Sequence, residues 1–533
     1  MDIDCIPFQQ TGYFSKLICD YLDQKKALSP FYNHFPSLDN FKLQLEEKET
    51  NYDHDQRNVL VKALVGQYAE ISPSALTKTN IKKLSSKKTF TIVTGHQLNL
   101  FTGPLYFLYK IISTINLASE LKTKYADYEF VPVYWMATED HDFDEINYFN
   151  FRGQKVQWNL KANGGVGRLS TESLKEVQEV IATHFGESEN AQKLTALFKK
   201  SYLENDTLAK ATRYLANELF GKYGLVVVDG DAIELKRLFV PYIEKDIFEQ
   251  IPFKKVNESV EQLKGISTDY NIQVNPREIN HFYLTDNLRE RLIYKNEIYH
   301  VLDTDISFTP DELRKELNDH PERFSPNVIT RPLYQEVILP NLCYIGGGGE
   351  LAYWLELKAS FDSLNIAFPM LLLRNSVLLM TGKQRKKVKK LGLSVYDLFM
   401  KQSSLINKKI RQISNIDIDF SPQKKHLEEQ FAELYELAEQ TDKSFLGAVK
   451  AQETKQKNGL DALEKRLLKA QKRKLKDEVT RIADIQNELF PNHSLQERLL
   501  NFSELYLEYG DQLIPMLKEA LDPLKGEFHI LRD

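Results

Sequence analysis

Apolar and polar positions follow two different rhythms along this chain. Up to about residue 380, short β-branched or aromatic runs are separated by stretches of helical period, the signature of an α/β fold. Phe90-Thr91-Ile92-Val93-Thr94, Phe130-Val131-Pro132-Val133-Tyr134-Trp135 and Leu225-Val226-Val227-Val228-Asp229 read as buried strands. Leu342-Cys343-Tyr344-Ile345 and Met370-Leu371-Leu372-Leu373 follow the same pattern. Between the first two runs, Leu108, Ile111, Ile112 and Ile115 share one helix face. The expectation is a doubly wound, mostly parallel sheet within residues 1–382, with insertions at about 149–167 and 240–330. The first insertion carries Gly153, Gly164, Gly165 and Gly167 and reads as a hairpin or loop.

After Gly382 the rhythm becomes helical. Lys383 to Lys390 is a basic run, and Gln423 to Leu489 holds no proline and only Gly447 and Gly459. Leu427, Phe431 and Leu434 start one stripe, while Leu468, Leu475, Ile482 and Leu489 recur every seven residues with Ile485 beside them. The stripe is interrupted between Asp442 and Asn458, which favours an antiparallel helical hairpin over one rod. Residues 383–490 are thus expected as a helical coiled-coil domain, and 491–533 as a segment packing back on the core.

Composition narrows the class. The chain has 533 residues, 42% apolar and 27% charged, with a net charge of -5. That balance gives no global basic field, so nucleic acid is not an expected partner. Three cysteines, Cys5, Cys19 and Cys343, without CxxC spacing argue for a reducing compartment and against a thiolate metal site. The start, MDIDCIPFQQ, lacks the apolar run of a signal peptide, and no stretch has the ~20 apolar residues that span a bilayer. A cytoplasmic protein with no membrane partner is expected.

Three segments could carry chemistry. In "VTGHQLNLFTGPLYFLYK", Pro104 fits a first helical position with Gly103 or Thr102 as the cap. Free amides there would attract a phosphate or carboxylate, with Gly95, His96, Gln97, Asn99 and Thr102 around it. On spacing alone this is either such a site or a tight βα turn. In "YWMATEDHDFDEIN", Glu139, Asp140, His141 and Asp142 follow a candidate strand. They could act as a base or as hydrogen-bond partners, or form a solvated loop in which Asp142 or Asp144 caps a helix. No metal-ligand spacing accompanies them, so no metal is expected. In "SPNVITRPLYQEVILPNLCYIGGGGELAYWLELK", Gly346 to Gly349 lie between a strand and a helix expected to begin near Glu350. Asn327, Arg331, Gln335, Gly346, Gly347, Glu350, Tyr353 and Trp354 are its candidate binding residues, and Cys343 reads as a small core residue. Arg277 and Arg374 could each hold an anion or form an ordinary ion pair.

The stretches "TGHQLNLFTGPLY", "PVYWMATEDHDFDEIN" and "ITRPLYQEVILPNLCYIGGGGELAYW" resemble, in the same order, the signatures of the bacillithiol biosynthesis cysteine-adding enzyme (cysteine ligase) family. The resemblance covers essentially the whole chain. It implies a Rossmann-like core with inserted connecting elements, related to class I aminoacyl-tRNA-synthetase folds, followed by a coiled coil that makes a homodimer. It further implies addition of cysteine to the amine of glucosaminyl-malate, with ATP or ADP as nucleotide. Carried over by motif, Gly95, His96, Gln97, Asn99, Thr102 and Gly103 would form one wall of the site. Glu139 to Asp142, with Asp140 or His141 as the catalytic base, and the region from Asn327 to Trp354 would form the others, with Arg331 or Arg374 offsetting negative charge. The chain departs from the family at His96, often glutamine, and Gly348, often proline, and TGHQ stands where synthetases carry HxGH. Rival readings are a nucleotide-binding coiled-coil scaffold without catalysis and a nucleotidyltransferase acting on another small substrate.

Overall fold

Five apolar runs become the five strands of one parallel sheet. The structure, a computed structural model, describes residues 2–532. The elements that build the site are β1 (Thr89–His96), α1 (Tyr106–Lys124), β2 (Glu129–Met136), β3 (Val226–Asp229) and α2 (Ile233–Ile247). They continue with α3 (Ile251–Ile266), α4 (Thr330–Ile338), β4 (Asn341–Gly346), α5 (Gly348–Ser363) and β5 (Met370–Leu373). The strand order is β5-β4-β1-β2-β3, every pair parallel. The chain therefore leaves β1 in one direction and returns on its other side at β4, a doubly wound Rossmann-like sheet.

Both faces of this sheet are covered, which is why its strands lack polar alternation. Every residue of β1, β4 and β5 is buried. Successive side chains of β4 still point to opposite faces. Cys343 and Ile345 join a core with Phe41, Phe90 and Leu117, whereas Tyr344 joins the larger core with Val93, Val133 and Trp354.

The excursions between strands form smaller units. Tyr148–Phe151 and Gln154–Gln157 make an antiparallel hairpin. Between α3 and α4 lies a five-stranded antiparallel sheet built from His281–Thr285, Leu288–Lys295, Ile298–Val301, Ser307–Phe308 and Phe324–Pro326. The two ends of the chain meet in a third sheet, where Glu527–Arg532 lies between Asp2–Pro7 and Val377–Met380.

The C-terminal region contains α6 (Ser421–Glu439), α7 (Lys443–Lys474) and α8 (Lys476–Leu489). The chain reverses after Glu439, and Asp442 caps α7 by accepting from the Ser444 and Phe445 amides. Leu427, Phe431 and Ala438 of α6 then pack on Val449 of α7, forming an antiparallel hairpin. The seven-residue seam has a different role from the one its period predicts. Leu468, Ile482, Ile485 and Leu489 are continuous with the main core, and a break at Leu475 redirects the chain toward it. Those four residues anchor the arm to the body instead of extending the hairpin.

Candidate functional site

Where a doubly wound sheet reverses direction, the loops after neighbouring strands diverge and leave a crevice beyond their carboxyl ends. Here a cleft of about 540 Å³ opens over the ends of β1, β2 and β4. Of the residues expected from sequence, Gly95, His96, Gln97, Glu139, Asp140, His141, Arg277, Asn327, Arg331, Glu350 and Tyr353 line it.

The loop after β2 forms one wall. Asp140 Oδ1 accepts from the His141 amide at 2.8 Å and the Asp142 amide at 3.4 Å, and Oδ2 accepts from Gln97 Nε2 at 2.9 Å. Arg289, from the antiparallel sheet, donates from Nη1 to His141 Nδ1 at 2.6 Å. A guanidinium cannot accept, so Nδ1 carries the lone pair and the neutral ring keeps its proton on Nε2. Burial and the same guanidinium push His141 below the usual imidazole range. His141 thus has no free basic nitrogen, which weakens the base role its position implied. Glu139 is paired through Oε1 with buried Lys236 of α2, which also donates to the Phe324 carbonyl at 2.7 Å. Burial pushes the Glu139 carboxyl up to about 7, against the pull of Lys236.

The opposite wall comes from α4, β4 and α5. Arg331 donates to Gln335 Oε1 at 3.0 Å and Tyr353 Oη at 3.4 Å. Four-residue spacing on α4 puts Arg331 and Gln335 on one face, with Gln335 held behind in the core. Lys110 of α1 donates to the Gly95 carbonyl at 2.7 Å and pairs with Glu350. Among the described residues neither Arg289 nor Arg331 forms an ion pair with a carboxylate; their partners are neutral.

Other expected residues lie elsewhere. The helix after the first loop starts at Tyr106 with Leu105 as its cap, not at Pro104. The Gly103 amide bonds to the Leu100 carbonyl at 2.9 Å and the Leu105 amide to Leu500 at 2.7 Å, so these donors are not offered to an anion. Phe101, Thr102 and Gly103 all have positive φ, and a Cβ on Gly103 would meet Asn99 at 2.5 Å. Gly103 therefore serves a tight turn. Asn99 and Thr102 face a small cavity behind His96, whose imidazole is held neutral by burial and by Lys110. Asp142 occupies the cap position of the short helix Phe143–Ile146 but makes no side-chain cap bond, and it is exposed.

The glycine run answers to packing as well. α5 begins at Gly348, two residues before Glu350, which instead accepts from the Gly347 amide at 3.4 Å. A Cβ on Gly346 would lie 2.8 Å from Leu351, and one on Gly348 would touch Phe14 at 3.4 Å. Gly346 makes room for Leu351, whereas a Cβ on Gly347 would make only ordinary contact with Arg374 at 3.7 Å, and neither glycine lines the cleft. Trp354 is buried and stacked on Tyr344 at 4.5 Å, an under-layer of the wall. Arg374 is buried in an ion pair with Glu497 of the C-terminal segment at 2.7 Å. Cys343 is fully buried, and burial holds its thiol well above the usual range.

Lys110, Lys236 and Arg289 were not singled out from the sequence. Lys110 had a signal, a lone charge inside the apolar stretch Phe107 to Ile112. Glu356 is a further one: it accepts from the Gln273 amide at 2.8 Å and so fixes the loop that rims the cleft.

Comparison with known proteins agrees with this layout. A family model described as "Bacillithiol biosynthesis BshC, N-terminal Rossmann-like domain" matches residues 1–375, and one described as "Bacillithiol biosynthesis BshC, C-terminal coiled-coil domain" matches residues 377–532. A Flavobacterium johnsoniae protein named "Putative cysteine ligase BshC" is 60% identical over 531 residues, covering 100% of both chains. Relatives of the same name from Cytophaga hutchinsonii and Bacillus cereus are 39% identical over 521 residues and 28% identical over 548 residues. The first of these two alignments covers 98% of this chain and 97% of the relative, the second 100% of each. The chain belongs to the bacillithiol biosynthesis BshC family.

Proposed function

We propose that the cleft joins the carboxyl group of cysteine to the amine of glucosaminyl-malate, forming the amide that completes bacillithiol. The observation that carries this reading is that two of the guanidiniums lining the cleft, Arg289 and Arg331, have only neutral hydrogen-bond partners. Carboxylates act on them only from beyond ion-pair distance, Asp140 and Glu139 on Arg289 and Glu350 on Arg331, so an anionic substrate would give each its first direct counter-charge. Malate supplies two carboxylates for them, and the planar donor fork suits each one. Asp140 on the other wall attracts the ammonium, while Gln97 and Asn327 suit sugar hydroxyls.

Amide formation from a carboxylate and an ammonium removes water and needs an activated acyl group. A nucleoside triphosphate would supply that activation. The exposed Leu434, Leu437, Phe445, Leu446 and Leu463 on the helical hairpin suit a homodimer contact.

Purified protein incubated with glucosaminyl-malate, cysteine and ATP should yield the thiol, detected by mass spectrometry after thiol labelling. Arg331→Ala should raise the KM for glucosaminyl-malate at least tenfold, the scale of one lost charge-assisted contact. Absence of product across redox buffers would remove the reading.

A further inference from the structure

We propose that Glu139, rather than Asp140 or His141, is the group that takes the proton from the attacking amine, with Lys236 as its positioning residue. The inference rests on the ligase reading above and adds to it the identity of the base.

Existing hydrogen bonds separate the three candidates. Both Asp140 oxygens already accept, from two backbone amides and from Gln97. His141 Nδ1 accepts from Arg289. Glu139 is held through Oε1 by Lys236, and among the described residues nothing donates to Oε2. The residue lines the cleft while remaining only 8% exposed. It therefore presents one anchored and one free oxygen to whatever enters. Lys236 is wholly buried and fixed by its second bond to Phe324, so the carboxylate is aimed by a rigid partner.

The surroundings suit a proton acceptor. Besides Lys236, the charges acting on Glu139 are Asp231, itself paired with Arg168, and Arg289; the Tyr334 phenol also lies near. Burial dominates this balance and brings Glu139 to about 7, close to working pH, where a general base is most effective. In the step, Oε2 takes one proton from the substrate ammonium, leaving a nitrogen lone pair. That nitrogen attacks the carbonyl carbon of an activated cysteinyl donor of the acyl-phosphate (mixed-anhydride) class. The C–N bond forms, the bond to the phosphate oxygen breaks with its electron pair, and the second N–H proton leaves to solvent.

The test uses Glu139→Gln and, to avoid stranding a buried ammonium, Glu139→Gln combined with Lys236→Met. The wild-type rate should rise with pH through about 7 as Glu139 deprotonates. Both variants should lose at least ~100-fold in kcat, keep KM within about threefold, and lose that limb. Infrared titration of the protein without substrates should show a carboxyl group ionising near 7 that both variants lack. Wild-type product formation with undiminished kcat and an intact limb in the variants would overturn Glu139 alone. A wild type that makes no amide would overturn the ligase reading and this step with it.

Discussion

Two buried lysine–glutamate pairs border two different cavities, and they differ in how far the carboxylate is engaged. Lys236 and Glu139 border the cleft with one carboxylate oxygen unengaged. Lys48 and Glu336 border a separate cavity of about 190 Å³, and there both oxygens are taken. Glu336 Oε2 accepts from Lys48 at 3.3 Å, and Oε1 accepts from Asn341 at 2.7 Å and Gln335 at 3.0 Å. A fully satisfied buried pair fixes geometry and leaves nothing for a ligand to use. Gln335 passes that order on, because it also accepts from Arg331. The satisfied pair therefore braces the helix that aims a cleft arginine, whereas the half-satisfied pair meets the substrate itself.

The strongest test breaks the braced pair. Glu336→Gln leaves the Lys48 ammonium buried without its counter-charge, which should cost about 3–5 kcal/mol in urea unfolding. Adding Lys48→Met should recover at least half of that loss, since the amide still accepts from Asn341. The kcat per folded molecule should stay within about twofold, because neither residue lines the cleft, whereas a loosened Gln335 should raise the KM for the anionic substrate through Arg331. A variant as stable as the parent but inactive would erase the distinction between the pairs.

Lys236→Met should act on proton affinity more than on folding. Lys236 holds Glu139 below the value burial alone would give. Without it the acid limb should move upward by ~1 pH unit or more, lowering the rate at pH 7 about fivefold or more. The rate should recover at higher pH, where Glu139 is again ionised. A limb that stays in place would show that the lysine does not tune the carboxylate.

The sheet was legible because its strands are buried on both faces and so read as unbroken apolar runs. The polar residues after β1 and β2 were legible as well, since strand ends in such a sheet face a crevice. What stayed hidden depends on partners far along the chain. Glu350 meets Lys110 from 240 positions away, Arg289 reaches His141 across 148, and Lys236 reaches Glu139 across 97. No local pattern announces such contacts. The same holds for the first loop, whose glycine and proline spell a helix start with free amides. Leu500 fills one of those amides, and Asn501 donates to the carbonyls of Phe101 and Gly103 at 2.8 and 2.7 Å. A strained run of positive φ at Phe101, Thr102 and Gly103 is thus over-determined by the C-terminal segment. Arg374, free to bind an anion on sequence grounds, is claimed by Glu497 from that segment too.

A third pair, Lys110 with Glu350, lies between the two extremes and sharpens the comparison most finely. Lys110 is 1% exposed, whereas the Glu350 side chain is 30% exposed and lines the cleft. If access to water sets the cost of a broken pair, Lys110→Met should be far milder than Glu336→Gln. Glu350 can be hydrated once the ammonium is gone, and it keeps the Tyr344 hydroxyl at 3.2 Å. The remaining loss is the donor to the Gly95 carbonyl, worth about 1 kcal/mol in urea unfolding. The released carboxylate also adds negative charge on the wall that holds Arg331, so the KM for an anionic substrate should rise a few-fold, about the effect of a partly screened charge. A loss as large as that of Glu336→Gln would mean that hydration is not what separates these pairs. The free Glu139 oxygen would then need another explanation than its exposure to the cleft.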